Sequence, residues 1–245
     1  MLALFSSLLI GTLVGLPLAF FVNIGFGIFC GFIVTIVAFF IVVRKTSSKL
    51  QQLFNAANME LQKQNFQKSV EMLKQGYSLK HWGFLVTAQI DSQIGVILYT
   101  QKKFGEAYKY LRKANPRIFL AYCMLIVGHI KNKKTDEAES ALKVLLKTNK
   151  KEAFVYSFAA YLYKKEFNDS EKAMSVIKDG LKKLPNNEKL KEHHNALQNK
   201  KRFKMSKWGD MWLQLMLDKK AMNKLQKKYM KQQQKKMKVR QKKGF

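Results

Sequence analysis

The sequence has few residues that interrupt or cross-link a helix. Of its 245 residues only three are proline and two are cysteine. Cys30 lies in the apolar N-terminal segment, and Cys123 lies 93 residues later, in the part of the chain that contains both apolar and charged residues. The sequence therefore predicts neither a disulfide framework nor a paired-cysteine metal site. Such sparse, unpaired cysteines suit a domain in the reducing cytoplasm.

Motifs that carry catalytic chemistry are also missing. The sequence contains no phosphate-binding glycine loop, no nucleophile elbow and no metalloprotease motif. Four histidines occur, but His129 has no acidic residue at a metal-ligand spacing, and the adjacent His193 and His194 would point about 100° apart on a helix. We interpret the histidines as surface or capping residues. The sequence predicts a protein that is not an enzyme and has no cofactor or metal.

Residues 1–43 contain no charged residue and no histidine. A membrane-spanning helix needs about 20 apolar residues, and residues 2–22 and 24–43 each meet that requirement, with Asn23 between them. A secretory signal would have a basic start and a small-residue cleavage site, which are not visible. The sequence predicts a transmembrane hairpin; one long helix kinked at Pro17 is the alternative.

Each half of this segment contains a GxxxG motif. Gly11 and Gly15 form the first motif, and Gly27 and Gly31 form the second. Glycine lets helix backbones approach closely in a membrane. In a hairpin that turns at Asn23, Gly15 and Gly31 lie at the same depth. The motifs therefore predict packing within the hairpin, or self-association into a homo-oligomer.

The residues that follow the apolar segment set the expected orientation. Arg44, Lys45 and Lys49 come directly after the second span, and positively charged flanks stay in the cytoplasm. A hairpin then places both termini and the soluble part in the cytoplasm of a multi-pass membrane protein.

Acidic residues and arginine are scarce. Lysine and arginine together number 45 against 16 acidic residues, which gives a net charge of +29. Only five of these 45 basic residues are arginine. Residues 200–245 contain 17 of the 45 basic residues and only two acidic residues, Asp210 and Asp218. Because bidentate recognition favours arginine, this charge predicts diffuse attraction to anionic lipid or nucleic acid. A general preference for lysine on a solvated surface is an equal alternative.

Four segments of the middle region repeat one pattern. They read NFQKSVEMLKQG (65–76), KFGEAYKYLRKA (103–114), KTDEAESALKVL (134–145) and NDSEKAMSVIKDG (168–180). Their aligned small residues, Ser69, Ala107, Ala138 and Ala173, are 38, 31 and 35 residues apart. The fourth alignment requires one extra residue before Asn168. Ser48 fits the start of a helix through a capping box.

Residues 49–185 resemble the tetratricopeptide repeat (TPR) family, whose period is about 34 residues. Ile94-Gly95 matches its Leu-Gly pair, and Pro185 stands where its repeat-ending proline belongs. The resemblance implies an all-α fold in which small residues let two helices pack and repeats stack into an α-solenoid. We expect three parts: a transmembrane hairpin (1–43), a TPR-like domain with a helical cap (46–201) and an amphipathic helix with a basic, partly disordered tail (204–245). A non-repetitive helical bundle is the alternative.

The resemblance also implies a concave groove, built by the first helix of each repeat, that binds a protein or peptide. Projecting these helices favours a peptide with an apolar anchor and acidic groups. Asn58 could serve in the carboxylate clamp of one TPR subgroup, but Phe54 stands where that clamp needs lysine. The predicted groove residues are Phe54, Asn58, Gln89, Ser92, Val96, Tyr99, Cys123, Val127, Lys131, Phe154, Tyr161 and Lys164.

The C-terminal region begins with a predicted amphipathic helix capped by Ser206. Trp208, Met211 and Leu215 recur at three- and four-residue steps and form one apolar stripe. The stripe either docks on the repeats, which we favour slightly, or lies on the inner leaflet with the lysines on anionic headgroups. Nucleic acid is a less favoured partner. The candidate residues for contact with a membrane or another acidic surface are Trp208, Met211, Trp212, Lys219, Lys220, Lys227 and Lys228.

Overall fold

The N-terminal apolar segment forms two antiparallel helices. In this computed structural model, which describes residues 2–21, 23–83, 85–201 and 204–217, α1 spans Leu2–Phe21 and α2 spans Ile24–Gln62. Asn23 has an extended backbone, and its side chain accepts a hydrogen bond from the Gly25 amide, which caps α2. Both helices are long and apolar enough to cross a membrane. The extended backbone of Asn23 between the two helices excludes one long helix kinked at Pro17.

Glycines bring α1 and α2 into close contact. A Cβ atom placed on Gly15 would lie 3.1 Å from Gly31 Cα, and one placed on Gly27 would lie 2.4 Å from Ala19 Cα. A Cβ atom on Gly11 would meet the Gly31 carbonyl oxygen at 2.7 Å. The four glycines of the two GxxxG motifs therefore line one helix–helix contact in which no larger residue fits.

The second apolar helix does not end where the charged residues begin. α2 runs for 39 residues without interruption, about 58 Å at 1.5 Å per residue. Ser48, expected to begin a new helix, lies inside α2, so that expectation is wrong. An established helix continues through a capping sequence, because each further residue adds a hydrogen bond without a new nucleation cost.

The chain divides at Asn115–Pro116 into two compact units. All regular structure in the described residues is helical, as predicted. The first unit adds α3 (Phe66–Gln75), a 3₁₀ turn (Gly76–Leu79), α4 (Val86–Thr100) and α5 (Phe104–Leu111) to α1 and α2. The second unit contains α6 (Phe119–Lys131), α7 (Thr135–Thr148), α8 (Ala153–Lys165), α9 (Ser170–Lys183), α10 (Glu188–Gln198), a 3₁₀ turn (Met205–Trp208) and α11 (Asp210–Gln214).

Four helix pairs, α2–α3, α4–α5, α6–α7 and α8–α9, share one turn geometry. Each turn contains a residue with positive φ, five positions before the aligned small residue. The amide that follows it bonds to a carbonyl five residues back in the first three turns and six back in the fourth, where the extra residue lies. The positive-φ residues are Gln64 (64°), Lys102 (63°), Lys133 (58°) and Asn168 (54°).

The aligned small residues are the points of closest packing in these pairs. Ser69, Ala107, Ala138 and Ala173 are all 0% exposed. Ser69 also donates a hydrogen bond through its hydroxyl to the Ala57 carbonyl of the facing helix at 2.9 Å, which satisfies the hydroxyl inside the pair. The small side chain at this position lets the two helices of each pair approach.

Candidate partner-binding surface

The predicted groove residues of the first unit divide between its interior and its surface. Ser92 is 0% exposed, and its hydroxyl accepts a hydrogen bond from the Asn115 amide at 2.9 Å. Tyr99 is 3% exposed and packs edge-to-face on Phe104 at 5.1 Å. Both side chains therefore contribute to the interior. Asn58 is exposed, and Phe54, Gln89 and Val96 are half-buried.

The second unit shows the same division. Cys123 and Val127 on α6 are 0% exposed. Burial raises the pKa of the Cys123 thiol well above its ordinary value, which keeps the thiol protonated and unreactive. Lys131 is exposed and Lys164 is half-buried. These lysines present positive charge near the ends of two first helices.

The aromatic part of the predicted groove is covered by the chain itself. Phe154 is 1% exposed, and its ring lies 5.5 Å from Trp208 in an edge-to-face arrangement. The Tyr161 ring lies 4.7 Å from Trp212, also edge-to-face. Such pairs stabilise by about 0.5–1.5 kcal/mol beyond the area they bury. Trp208 and Trp212 thus pack on α8, and both side chains are buried in this structure rather than exposed to a membrane.

A turn after α10 returns the chain to α8. Lys200 has φ of 51°, and the Lys201 amide bonds to the Ala196 carbonyl at 2.8 Å, five residues back. This repeats the turn of the four helix pairs. Met205, five residues after Lys200, is 3% exposed and takes the place of the small residue. Sequence reasoning missed this fifth turn, because methionine hides the small-residue signal.

The segment after this turn is not the single helix that the sequence predicts. Residues 205–208 form a 3₁₀ turn, Gly209 has φ of 57°, and α11 ends at Gln214 before Met216, whose φ is 51°. The prediction of one helix from Ser206 is wrong for the described part, because Gly209 adopts a conformation that ends a helix. Met211 is half-buried and Leu215 is 0% exposed. Lys219, Lys220, Lys227 and Lys228 lie outside the described residues.

His193 fixes α10 to α8. Contrary to the expected surface or capping position, it lies inside α10 and is 2% exposed, and its Nδ1 lies 2.9 Å from the Ser157 hydroxyl. Nε2 lies 3.3 Å from the Lys204 carbonyl oxygen. Burial lowers the pKa of this imidazole, although the hydrogen bond to Lys204 and the charge of Glu192 act in the opposite direction. His193 is therefore neutral at neutral pH and is held by polar contacts on both sides of its ring.

The polar side-chain atoms of the two tryptophans, unlike those of His193, are not satisfied by hydrogen bonds in the part of the chain that the structure describes. The indole nitrogens of Trp208 and Trp212 are buried, and within the described residues neither has a hydrogen-bond partner. A buried donor without a partner costs about 1–3 kcal/mol. The Lys189 ammonium lies 4.5 Å from the centre of the Trp208 ring, a cation–π contact that offsets part of that cost. The segment is therefore held mainly by apolar and aromatic packing.

An open cleft of about 480 Å³ lies between α10 and the residues that follow it. It is bordered by Lys201, Lys204 and Lys207, and by Glu192, whose pKa is lowered chiefly by a hydrogen bond from Lys207. The ion pair with Lys207 neutralises the charge of Glu192, and the charges of Lys201 and Lys204 make the cleft basic. In the described part of the chain, no three histidine, cysteine or acidic side chains form a group that could hold a metal ion.

Comparison of the chain with protein-family models and with curated proteins finds no match. The residues above therefore have to support any function by their own chemistry. In the first unit, α2 and α4 keep accessible side chains at Asn58 and Val96. In the second unit, α6 and α8 keep them at Lys131 and Lys164, and residues 205–215 cover the aromatic side chains of α8.

Proposed function

We propose that this protein is a membrane-anchored, cytoplasm-facing TPR scaffold that binds protein partners and catalyses no reaction. The observation that carries the proposal is the recurrence of one turn in four successive helix pairs. Each turn has a positive-φ residue five positions before a small residue that is 0% exposed. Positive φ is uncommon outside glycine, so four occurrences at one offset favour a true repeat over an irregular bundle. In this proposal the pairs stack as a solenoid.

The membrane anchor has separate support. α1 and the first 20 residues of α2 are each about 30 Å long, the thickness of the hydrocarbon core. Most of their large apolar side chains are exposed, among them Leu13, Phe20 and Phe29. Exposed apolar surface of this extent is unfavourable in water and favourable in lipid. Arg44 and Lys45 at the end of the span favour a cytoplasmic position for the remainder of the chain.

The partner is expected to bind the first helices where their side chains are still accessible. Asn58 and Val96 offer such positions in the first unit, and Lys131 and Lys164 offer them in the second. The lysines favour acidic groups on the partner, and Val96 favours an apolar anchor. Phe154 is a poor target for mutation because it is 1% exposed, so its replacement would damage the fold.

Site-specific photocrosslinking in intact membranes tests this proposal. A photoreactive amino acid placed at Val96, Lys131 or Lys164 should give one discrete protein adduct. The matched positions Lys109 on α5, Lys147 on α7 and Lys178 on α9 are exposed on second helices and should give none. Equal labelling at both sets of positions would contradict a groove on the first helices.

A nucleic-acid-binding or ribosome-associated membrane protein is the second candidate. The distribution of charge favours this candidate, because the segment from residue 200 onward contains 17 basic residues and only two acidic residues. Binding by charge alone weakens steeply with salt. RNA binding that persists at about 150 mM salt and disappears when residues 218–245 are removed would favour this candidate over the scaffold.

A further inference from the structure

The loop before α4 lies where the apolar part of the hairpin ends. The Leu2 amide, at the start of α1, donates a hydrogen bond to the His81 carbonyl at 3.0 Å. A Cβ atom on Gly83 would lie 3.2 Å from Thr46 Cγ2 on α2, so the loop also touches α2 just past Arg44. The loop therefore meets the start of α1 and the part of α2 where its apolar stretch gives way to charged residues.

A cavity of about 770 Å³ opens at this boundary, within the usual size of small-ligand pockets, roughly 300–1,000 Å³. One wall comes from the apolar hairpin and the other from the loop and the first turn of α4. The lining includes Leu4, Phe39, Val43, Lys80, Trp82 and Thr87. The interior is thus mainly apolar, while its rim has one lysine and one tryptophan.

The charge around the cavity is positive. Lys80 is the charged residue among the described residues that line the cavity, and Arg44, Lys45 and Lys49 are exposed beside the lining residues of α2. The acidic residue that follows Lys80 in the sequence, Asp91, is 2% exposed and accepts a hydrogen bond from the Tyr77 hydroxyl. Trp82 is 39% exposed, and tryptophan is enriched at the level of lipid headgroups. An apolar interior beneath a basic rim complements a molecule that has an acyl chain and an anionic head.

We propose that this cavity binds one anionic glycerophospholipid from the cytoplasmic leaflet. An acyl chain would lie against Leu4, Phe39 and Val43, and the phosphate would lie near Lys80. The proposal rests on the membrane insertion inferred above. It assigns to the loop before α4 a role separate from partner binding, namely the attachment of the first unit to a particular class of lipid.

Native mass spectrometry of the full chain, purified in mild detergent with equal amounts of phosphatidylglycerol and phosphatidylcholine, tests the site. The wild-type protein should retain one phosphatidylglycerol in preference to phosphatidylcholine. Lys80→Glu should reduce that preference about tenfold, since each basic residue near a lipid surface contributes severalfold, and Lys80→Gln should reduce it less. Thr87→Phe, which adds bulk at the cavity wall, should reduce retention of both lipids.

Matched variants on the same unit give the controls. Lys109→Glu changes an exposed lysine on α5, and Thr100→Phe adds the same bulk at the other end of α4, away from the lining. Both should retain lipid as the wild type does. Equal retention by all variants, or equal retention of the two lipids by the wild type, would overturn the lipid site. Release of the wild-type chain from membranes by alkaline carbonate would instead reject the anchor itself.

Discussion

At the scale of single residues, burial gives His193 a pH-dependent role. Burial lowers its pKa below the ordinary value of about 6.5. The unfolded chain therefore binds more protons than the folded one as the pH falls. The stabilisation is complete above pH 6.5 and is lost as the pH falls through the folded-state pKa. We expect the free energy of unfolding, measured by urea titration with tryptophan fluorescence, to decrease from pH 7 to pH 5.

Other charged groups near the imidazole could also change the stability with pH, and variants separate their contribution from that of His193. Glu192, Lys189 and Lys207 act on His193. His193→Gln should remove most of the dependence on pH between 7 and 5, whereas His194→Gln, one residue away and half-buried, should leave it unchanged. An identical pH dependence in wild type and His193→Gln would show that another group causes it.

The burial of some individual side chains could be predicted from the sequence, and the burial of others could not. The small residues at the repeated positions were predictable because four copies of one pattern reinforce each other, and the structure buries all four. The burial of His193 was not predictable, because its partner Ser157 is 36 residues away. The positions of Trp208 and Trp212 were only half predictable. Their periodicity indicated an apolar surface without indicating which surface it would meet.

At the scale of elements, the α1–α2 contact depends on glycine at defined positions. Gly27 faces Ala19, and a Cβ atom there would lie 2.3 Å from the Ala19 nitrogen, whereas the nearest atom to a Cβ on Gly25 is the Asn23 side-chain oxygen at 3.5 Å. Gly27→Leu should therefore separate the helices at an overpacking cost of about 1–3 kcal/mol, while Gly25→Leu should cost much less. The midpoint of unfolding in mixed dodecylmaltoside–SDS micelles measures this difference. Equal midpoints for both variants would contradict the packing described.

Element boundaries were harder to predict than element type. Hydrophobic pattern and scarce proline sufficed to predict helices throughout the described chain. Two boundaries were missed for opposite reasons. At Ser48 a local capping signal was overridden by the continuing helix α2, and at Gly209 a periodic stripe was interrupted by one positive φ. Local signals are weak beside the packing that completes a helix or ends it.

At the scale of the whole molecule, charge and packing at the C-terminus can be separated. Residues 205–217 contain the buried Trp208, Trp212 and Leu215, whereas residues 218–245 contain 12 of the 17 basic residues found from residue 200 onward. A chain that ends at residue 217 keeps the packing segment and loses those 12 basic residues. A chain that ends at residue 204 loses both.

We expect these two truncated chains to differ in stability by about 5 kcal/mol, since each fully buried large apolar side chain contributes about 1.5–3 kcal/mol and the unpaired indole nitrogens offset part of the sum. Urea titration monitored by far-ultraviolet circular dichroism measures the difference. Both truncated chains should bind anionic vesicles more weakly than the full chain, because both lack the 12 basic residues of the segment 218–245. Equal stability would contradict a structural role for residues 205–217. Vesicle binding by the chain ending at 217 that equals the binding of the full chain would assign the surface attraction to the basic residues that both truncated chains keep.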